Sequence, residues 1–226
     1  MTLRISLTQI TSSTDPAANL ATVEKRVTTA TDAGSGLVVF PEAAMQRFGG
    51  PLAHVAQPLD GPWADAVREC AARAGITVVA GMFTPADDGR VRNTLPVTGI
   101  GLATCFDIRF PGLFQTLADR GASLNVVAAS WGAGPGKVDQ WTLLARARAL
   151  DSTTFVAACD QADQTASGEK IHGTAPLGVG HGIVASPTGD VLGQLDSVPG
   201  ILTVDIDTDL VTQVRSTLPV LANRRH

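Results

Sequence analysis

Among the side chains of this sequence, the thiol of Cys105 is the one placed most suggestively for covalent chemistry. It closes the apolar run Gly99-Ile100-Gly101-Leu102-Ala103-Thr104-Cys105 and is followed at once by Phe106-Asp107-Ile108-Arg109-Phe110-Pro111. A nucleophile at an elbow between strand and helix is held rigidly, with backbone N–H groups close by to receive an oxyanion. Such a thiol needs a base or a positive field to become a thiolate. A candidate base stands in Leu37-Val38-Val39-Phe40-Pro41-Glu42. A carboxylate directly after a buried strand and a proline sits at the strand's C-terminal edge, where α/β folds place their sites. Taken alone, Glu42 reads as a solvated turn residue and Cys105 as a small buried hydrophobe. The other two cysteines read as packing, Cys70 in an amphipathic helix and Cys159 at the end of an apolar strand. Three widely spaced cysteines without a CxxC pair argue against both a disulfide framework and a zinc site, so no metal is expected.

The elements that must position these residues alternate along the chain. Strands are expected over 3–8, 37–40, 76–83, 91–97, 100–105, 124–129 and 154–159, and helices over 19–32, 63–74, 110–121 and 139–151. Asp87-Asp88-Gly89 supplies a turn signal between two of the strands. The last third turns β-rich, with strands over 182–185, 190–194 and 201–205 and a hairpin turn at Ser186-Pro187-Thr188-Gly189. Residues 160–180, rich in Gly, Thr, Ala and Asp, read as a long surface loop of the functional kind. The pattern is that of a layered α/β domain without linker, repeat or low-complexity stretch.

With 226 residues, one domain spanning 1–226 is expected. A composition 44% hydrophobic and 17% charged is globular, and a net charge of -4 gives no footprint for nucleic acid or an anionic membrane. No run of 18 apolar residues occurs. The opening MTLRISLTQI alternates like a strand and lacks the apolar block of a signal peptide, so a cytoplasmic location is expected. A Rossmann-type nucleotide binder is disfavoured, because no Gly-x-Gly-x-x-Gly follows the first strand.

Phe40-Pro41-Glu42 and Thr104-Cys105-Phe106-Asp107-Ile108-Arg109-Phe110-Pro111 together resemble the paired signature of the nitrilase-like carbon–nitrogen hydrolases. The likeness extends through Thr8-Gln9, Gly81-Met82-Phe83, Arg92-Asn93-Thr94, Ala129-Ser130-Trp131, Gln140-Trp141 and Arg146-Ala147-Arg148-Ala149. It continues in Gly178-Val179-Gly180-His181 and Leu218-Pro219-Val220-Leu221. Within the superfamily the sequence is most similar to the branch of omega-amidases and deaminated glutathione amidases, which release ammonia from small carboxamides. The resemblance implies a four-layer α-β-β-α sandwich, no cofactor, and a homodimer paired through helices over 110–120 and 139–151. Arg146 and Arg148 would point to nearly opposite sides of the second helix, so one of them could be buried at that interface. It implies Cys105 as nucleophile, Glu42 as general base and the backbone N–H of Phe106 as an oxyanion donor. Arg109 is a candidate anchor for a substrate carboxylate, or else a partner of Asp107 or of a second subunit. Trp131 reads either as a pocket wall or as a core aromatic, and His181, flanked by glycines, as a structural hydrogen-bond donor.

One part of the family pattern has no counterpart. The family places a lysine, the second oxyanion donor, between the Asn93-Thr94 region and the nucleophile strand, with a supporting glutamate after it. Here the intervening TLPVTGIGLAT contains neither residue. Several dozen positions are expected to be absent around Thr98-Gly99-Ile100, by true deletion or by omission from the sequence. The remaining lysines are Lys25 on a surface helix, Lys137 in a loop after Trp131, and Lys170, whose Lys170-Ile171-His172 superficially mimics the missing motif. Both functional expectations therefore stand: an amidase, or a catalytically impaired homologue that binds a small amide or a protein.

Overall fold

In the computed structural model, which describes residues 1–86, 91–94, 100–166 and 175–224, two β-sheets lie face to face. The first is ordered around β1 (Thr2–Gln9), which pairs in parallel with β2 (Leu37–Val39) and antiparallel with β11 (Gly200–Asp207). β3 (Thr77–Val79) extends this sheet in parallel from β2. The second sheet contains β6 (Gly101–Thr104), β7 (Leu124–Ala129) and β8 (Phe155–Asp160) in parallel. It continues antiparallel through β9 (Ile183–Ala185) and β10 (Val191–Gln194). A separate hairpin pairs β4 (Met82–Pro85) with β5 (Val91–Thr94).

Side-chain alternation along these strands sorts the interior into three layers. Ile5, Leu7, Leu37, Val39, Val126, Phe155, Ala157 and Val184 point into the space between the sheets. Val38, Phe40 and Ala80 point the other way, towards α1 (Pro16–Asp32) and α2 (Pro62–Ala74). Val127, Val156, Ala158, Ile183 and Ala185 face α3 (Pro111–Asp119) and α4 (Lys137–Ser152). A strand with apolar residues on both faces is buried on both faces, and three apolar interfaces require four layers of secondary structure. The expected α-β-β-α sandwich is the fold observed.

Local chemistry explains most boundaries. Asp15 caps α1 by accepting from the amides of Ala17 and Ala18, and Pro16 fits its first turn. Gly75 ends α2 with φ 65°, a left-handed conformation that glycine adopts without a Cβ penalty. Two expectations are corrected. The single strand at 76–83 is two strands, broken at Ala80 and Gly81. A Cβ on Gly81 would lie 2.9 Å from the Ala43 nitrogen and 3.0 Å from the Glu42 Cα, so the chain passes directly beneath the Glu42 backbone there. The C-terminal stretch forms helices α5 (Asp209–Thr217) and α6 (Val220–Asn223), where no helix was expected. The turn at Asp87-Asp88-Gly89, the end of the strand at 95–97 and the Thr98-Gly99 junction lie outside the described residues.

Candidate active site

The ends of all six parallel strands meet at one edge of the sandwich. β1 delivers Ile10 to Ser12, β2 delivers Glu42, and β3 delivers Gly81 from the first sheet. From the second, β6 delivers Cys105, β7 delivers Ser130 and Trp131, and β8 delivers Asp160 and Gln161.

Cys105 opens a 3-10 turn over Cys105–Arg109 with φ 42°, a left-handed conformation that is strained for a residue with a side chain. The turn is fixed by a reciprocal cap: the Thr104 N–H donates to Asp107 Oδ2 at 2.9 Å, and the Thr104 hydroxyl accepts from the Asp107 amide. Amides in the first turn of a helix, such as the Phe106 N–H, have no partner within it. The Phe106 ring itself is exposed.

Glu42 is buried, and its carboxylate accepts a 2.9 Å hydrogen bond from the Ser130 N–H. The same carboxylate is hydrogen-bonded to the Cys105 thiol, which also points at the Ser130 carbonyl at 3.9 Å. Sequence positions 63 apart are thus brought into contact from opposite sheets. Burial pushes the Cys105 thiol well above its ordinary pKa, and the charge and hydrogen bond of Glu42 push it further. A backbone hydrogen bond at Ser130 acts in the opposite direction. Ionisation of the thiol is thereby disfavoured, and its proton rests on sulfur with the Glu42 carboxyl group already in contact.

The other residues singled out in the sequence take varied places. Trp131 is a core aromatic: its ring centroid lies 5.4 Å from that of Trp141, and its indole N–H donates to the Lys137 carbonyl. The Arg109 guanidinium stacks over the Trp131 ring at 4.8 Å and over Phe106 at 5.5 Å. Arg148 is the buried member of its pair, and the burial is internal to the protomer. Its guanidinium donates to the Ile108 carbonyl and pairs with Asp151. Arg146 is exposed and reaches the Gly189 carbonyl. His181 donates its backbone N–H to Asp196 and accepts the Trp141 indole N–H at its carbonyl. Cys70 and Cys159 are buried. Lys137 begins α4 half-buried and Lys25 is exposed on α1, while Lys170 lies outside the described residues. Among the described residues no group of three or more His, Cys, Asp or Glu could hold a metal ion. No helix among them is long and apolar enough to cross a membrane.

Two residues that matter here fall where the sequence was read as a long surface loop, and the structure corrects that reading. Asp160 closes β8 and Gln161 follows it, both buried. Asp160 accepts from the amides of Trp131 and Val179, and burial nonetheless pushes its carboxyl up to about 7. An acid closing the apolar run Phe155-Val156-Ala157-Ala158-Cys159 was the available signal.

The carbon–nitrogen hydrolase family model matches residues 4–97 and 85–216. The chain belongs to the carbon–nitrogen hydrolase family. It is 47% identical over 267 residues to a Mycobacterium tuberculosis protein named Hydrolase Rv0480c, covering 98% of this chain and 95% of the relative. That alignment is longer than the 226 residues here, so the hydrolase carries positions this chain leaves empty. The omega-amidase of Xenopus tropicalis is 25% identical over 270 residues, covering 99% of this chain and 95% of the relative. The crystal structure of Saccharomyces cerevisiae Nit3, a member of branch 10 of the nitrilase superfamily, superposes with a TM-score of 0.82 at 19% identity. The match covers 100% of this chain and 97% of the yeast protein.

Proposed function

We propose that this carbon–nitrogen hydrolase cleaves a small carboxamide to a carboxylic acid and ammonia through a thioester on Cys105. The observation that carries the reading is the buried Glu42 carboxylate, held by the Ser130 N–H and hydrogen-bonded to the thiol. In the first half-reaction the Cys105 Sγ attacks the amide carbon while Glu42 takes the thiol proton. The Phe106 N–H receives the developing oxyanion. Glu42 then passes its proton to the departing nitrogen, and ammonia leaves. In the second half, Glu42 takes a proton from water, the hydroxide attacks the thioester, and the proton returns to the sulfur as the acid departs. Arg109, stacked at the rim on Phe106 and Trp131, is the candidate contact for a carboxylate at the far end of the substrate. The similarity to an omega-amidase supports a small ω-amide as substrate. We place the enzyme in the cytoplasm as a homodimer joined through α3 and α4.

The test is ammonia release from a panel of small ω-amides. Cys105→Ala should abolish it, and Glu42→Gln should lower kcat by about 100- to 10,000-fold, the range for a lost general base. Undiminished turnover in Cys105→Ala would refute the assignment.

A second reading is favoured by one observation: the thiol is pushed up, with no cation among the described residues acting on it. Loss of the family's lysine from the region of residues 95–100 would leave a homologue that binds an amide and turns it over slowly. One missing oxyanion donor costs roughly 100- to 1,000-fold in rate. A polypeptide with an intact mass of 23.3 kDa and turnover at least about 100-fold below that of a lysine-bearing relative would establish this second reading. Normal turnover at that mass would exclude it.

A further inference from the structure

We propose that the buried dipeptide Asp160-Gln161, ending β8, is the positioning unit that sets Glu42 against Cys105. The inference rests on reading those two residues as base and nucleophile. Gln161 works on the main chain of the base: its Nε2 donates to the Glu42 carbonyl at 2.9 Å and to Ser12 Oγ at 2.8 Å. Its Oε1 accepts the Ser12 N–H at 3.0 Å. Every polar atom of that side chain is thus committed, which fixes its orientation and locks the strand ends of β1 and β2 together. Asp160 works on the carboxylate of the base, one step removed. Its Oδ1 accepts the Trp131 N–H at 2.8 Å and its Oδ2 accepts the Val179 N–H at 2.7 Å. Trp131 follows Ser130, whose own N–H holds the Glu42 carboxylate. One dipeptide therefore grips the base at both ends, and neither of its side chains hydrogen-bonds to the thiol.

The two oxygens of Asp160 must both accept. A proton on either turns that oxygen into a hydroxyl, a weaker acceptor, and loosens its hold on one of the two amides, so the grip is firmest in the ionised form. The titratable groups facing Asp160 are Glu42 from the end of β2, Cys105 from the 3-10 turn and Cys159 on its own strand. Its titration, displaced upward by burial, falls near neutrality. The acid limb of the pH–rate profile is then a property of Asp160, which holds the base only through the Trp131 amide.

Asp160→Asn is the decisive variant, since it keeps the shape and replaces one acceptor by a donor. Three results are expected. kcat on a small ω-amide should fall about 10- to 100-fold with little change in KM, the range for a mispositioned catalytic group. The acid limb near pH 7 should vanish. Amide-exchange protection, corrected for intrinsic rates, should fall at Trp131 and Val179 and also at Ser130, which Asp160 does not touch, while the Gln161-held Ser12 amide keeps its protection. An unchanged kcat, pH profile and Ser130 protection would overturn the inference. If the variant does not fold, the wild-type protein decides: protection at Trp131 and Val179 should drop between pH 8 and pH 6, and constant protection counts against the proposal. Failure of the underlying reading looks different. In that case Cys105→Ala or Glu42→Gln releases ammonia as the wild type does, or the wild type releases none, whatever the exchange data show.

Discussion

At the scale of single residues, Asp160 sets function against stability. A carboxyl held at about 7 in the folded protein, against an ordinary 3.8, binds its proton more tightly when folded than when unfolded. The native state therefore carries more protons than the unfolded chain between roughly pH 4 and pH 7, and stability falls as pH rises through that window. The slope for one such group is about 1.4 kcal/mol per pH unit, and the whole span is worth about 4 kcal/mol. Urea unfolding of the wild type and Asp160→Asn at pH 5, 6, 7 and 8 should show the difference in unfolding free energy moving in favour of the wild type as pH falls. A pH-independent difference would rule the mechanism out. Catalysis runs the other way, because the ionised form supports the amides beneath Glu42. Cys105 shows the same tension in backbone terms, since its positive φ costs energy that, on the proposed mechanism, goes to aiming the thiol.

At the scale of elements, the runs 37–40, 124–129 and 154–159 were legible because a strand buried on both faces leaves a nearly continuous apolar signature, here broken only by Asn125 and Thr154. The ends of the runs 37–40 and 99–105 also made Glu42 and Cys105 visible as neighbours of a strand edge. Other features follow from contacts that no local pattern encodes. The break at Gly81 answers to the Glu42 backbone above it, and Asp160 has partners at 131 and 179 that are adjacent only in space. Helix α5 was missed because only Val211 and Val214 of its nine residues are buried, too few to show a period. Where the local signal is complete, so is its consequence. Asp15→Ala should remove the cap of α1 and cost about 1 kcal/mol, measured by thermal or chemical unfolding. Because α1 lies on the outer layer, the same variant should leave kcat unchanged below its melting temperature.

At the scale of the whole molecule, the outer face around α4 and the 3-10 turn exposes large apolar side chains. Leu143 is 65% exposed, Phe106 62% and Phe110 53%, and Phe106 stacks edge-on against Phe110. Clustered exposure of this kind marks a surface made for association. Light scattering at micromolar concentration should give twice the chain mass, and Leu143→Glu should shift the population to monomer. A wild type that is monomeric under those conditions would remove the dimer from this account. On the proposed mechanism, the placement of base and nucleophile on different sheets has one more consequence. Glu42 hangs from β2 and Cys105 from β6, so the gap between thiol and carboxylate is a caliper on the separation of two layers. That separation is set by side chains such as Ile5, Val126 and Phe155, none of which a substrate needs to reach. Turnover would thereby report on the interior, since a drift of about 1 Å between the layers can cost about 100-fold in rate. On warming or in denaturant, ammonia release is expected to fall before circular dichroism records any loss of helix or strand.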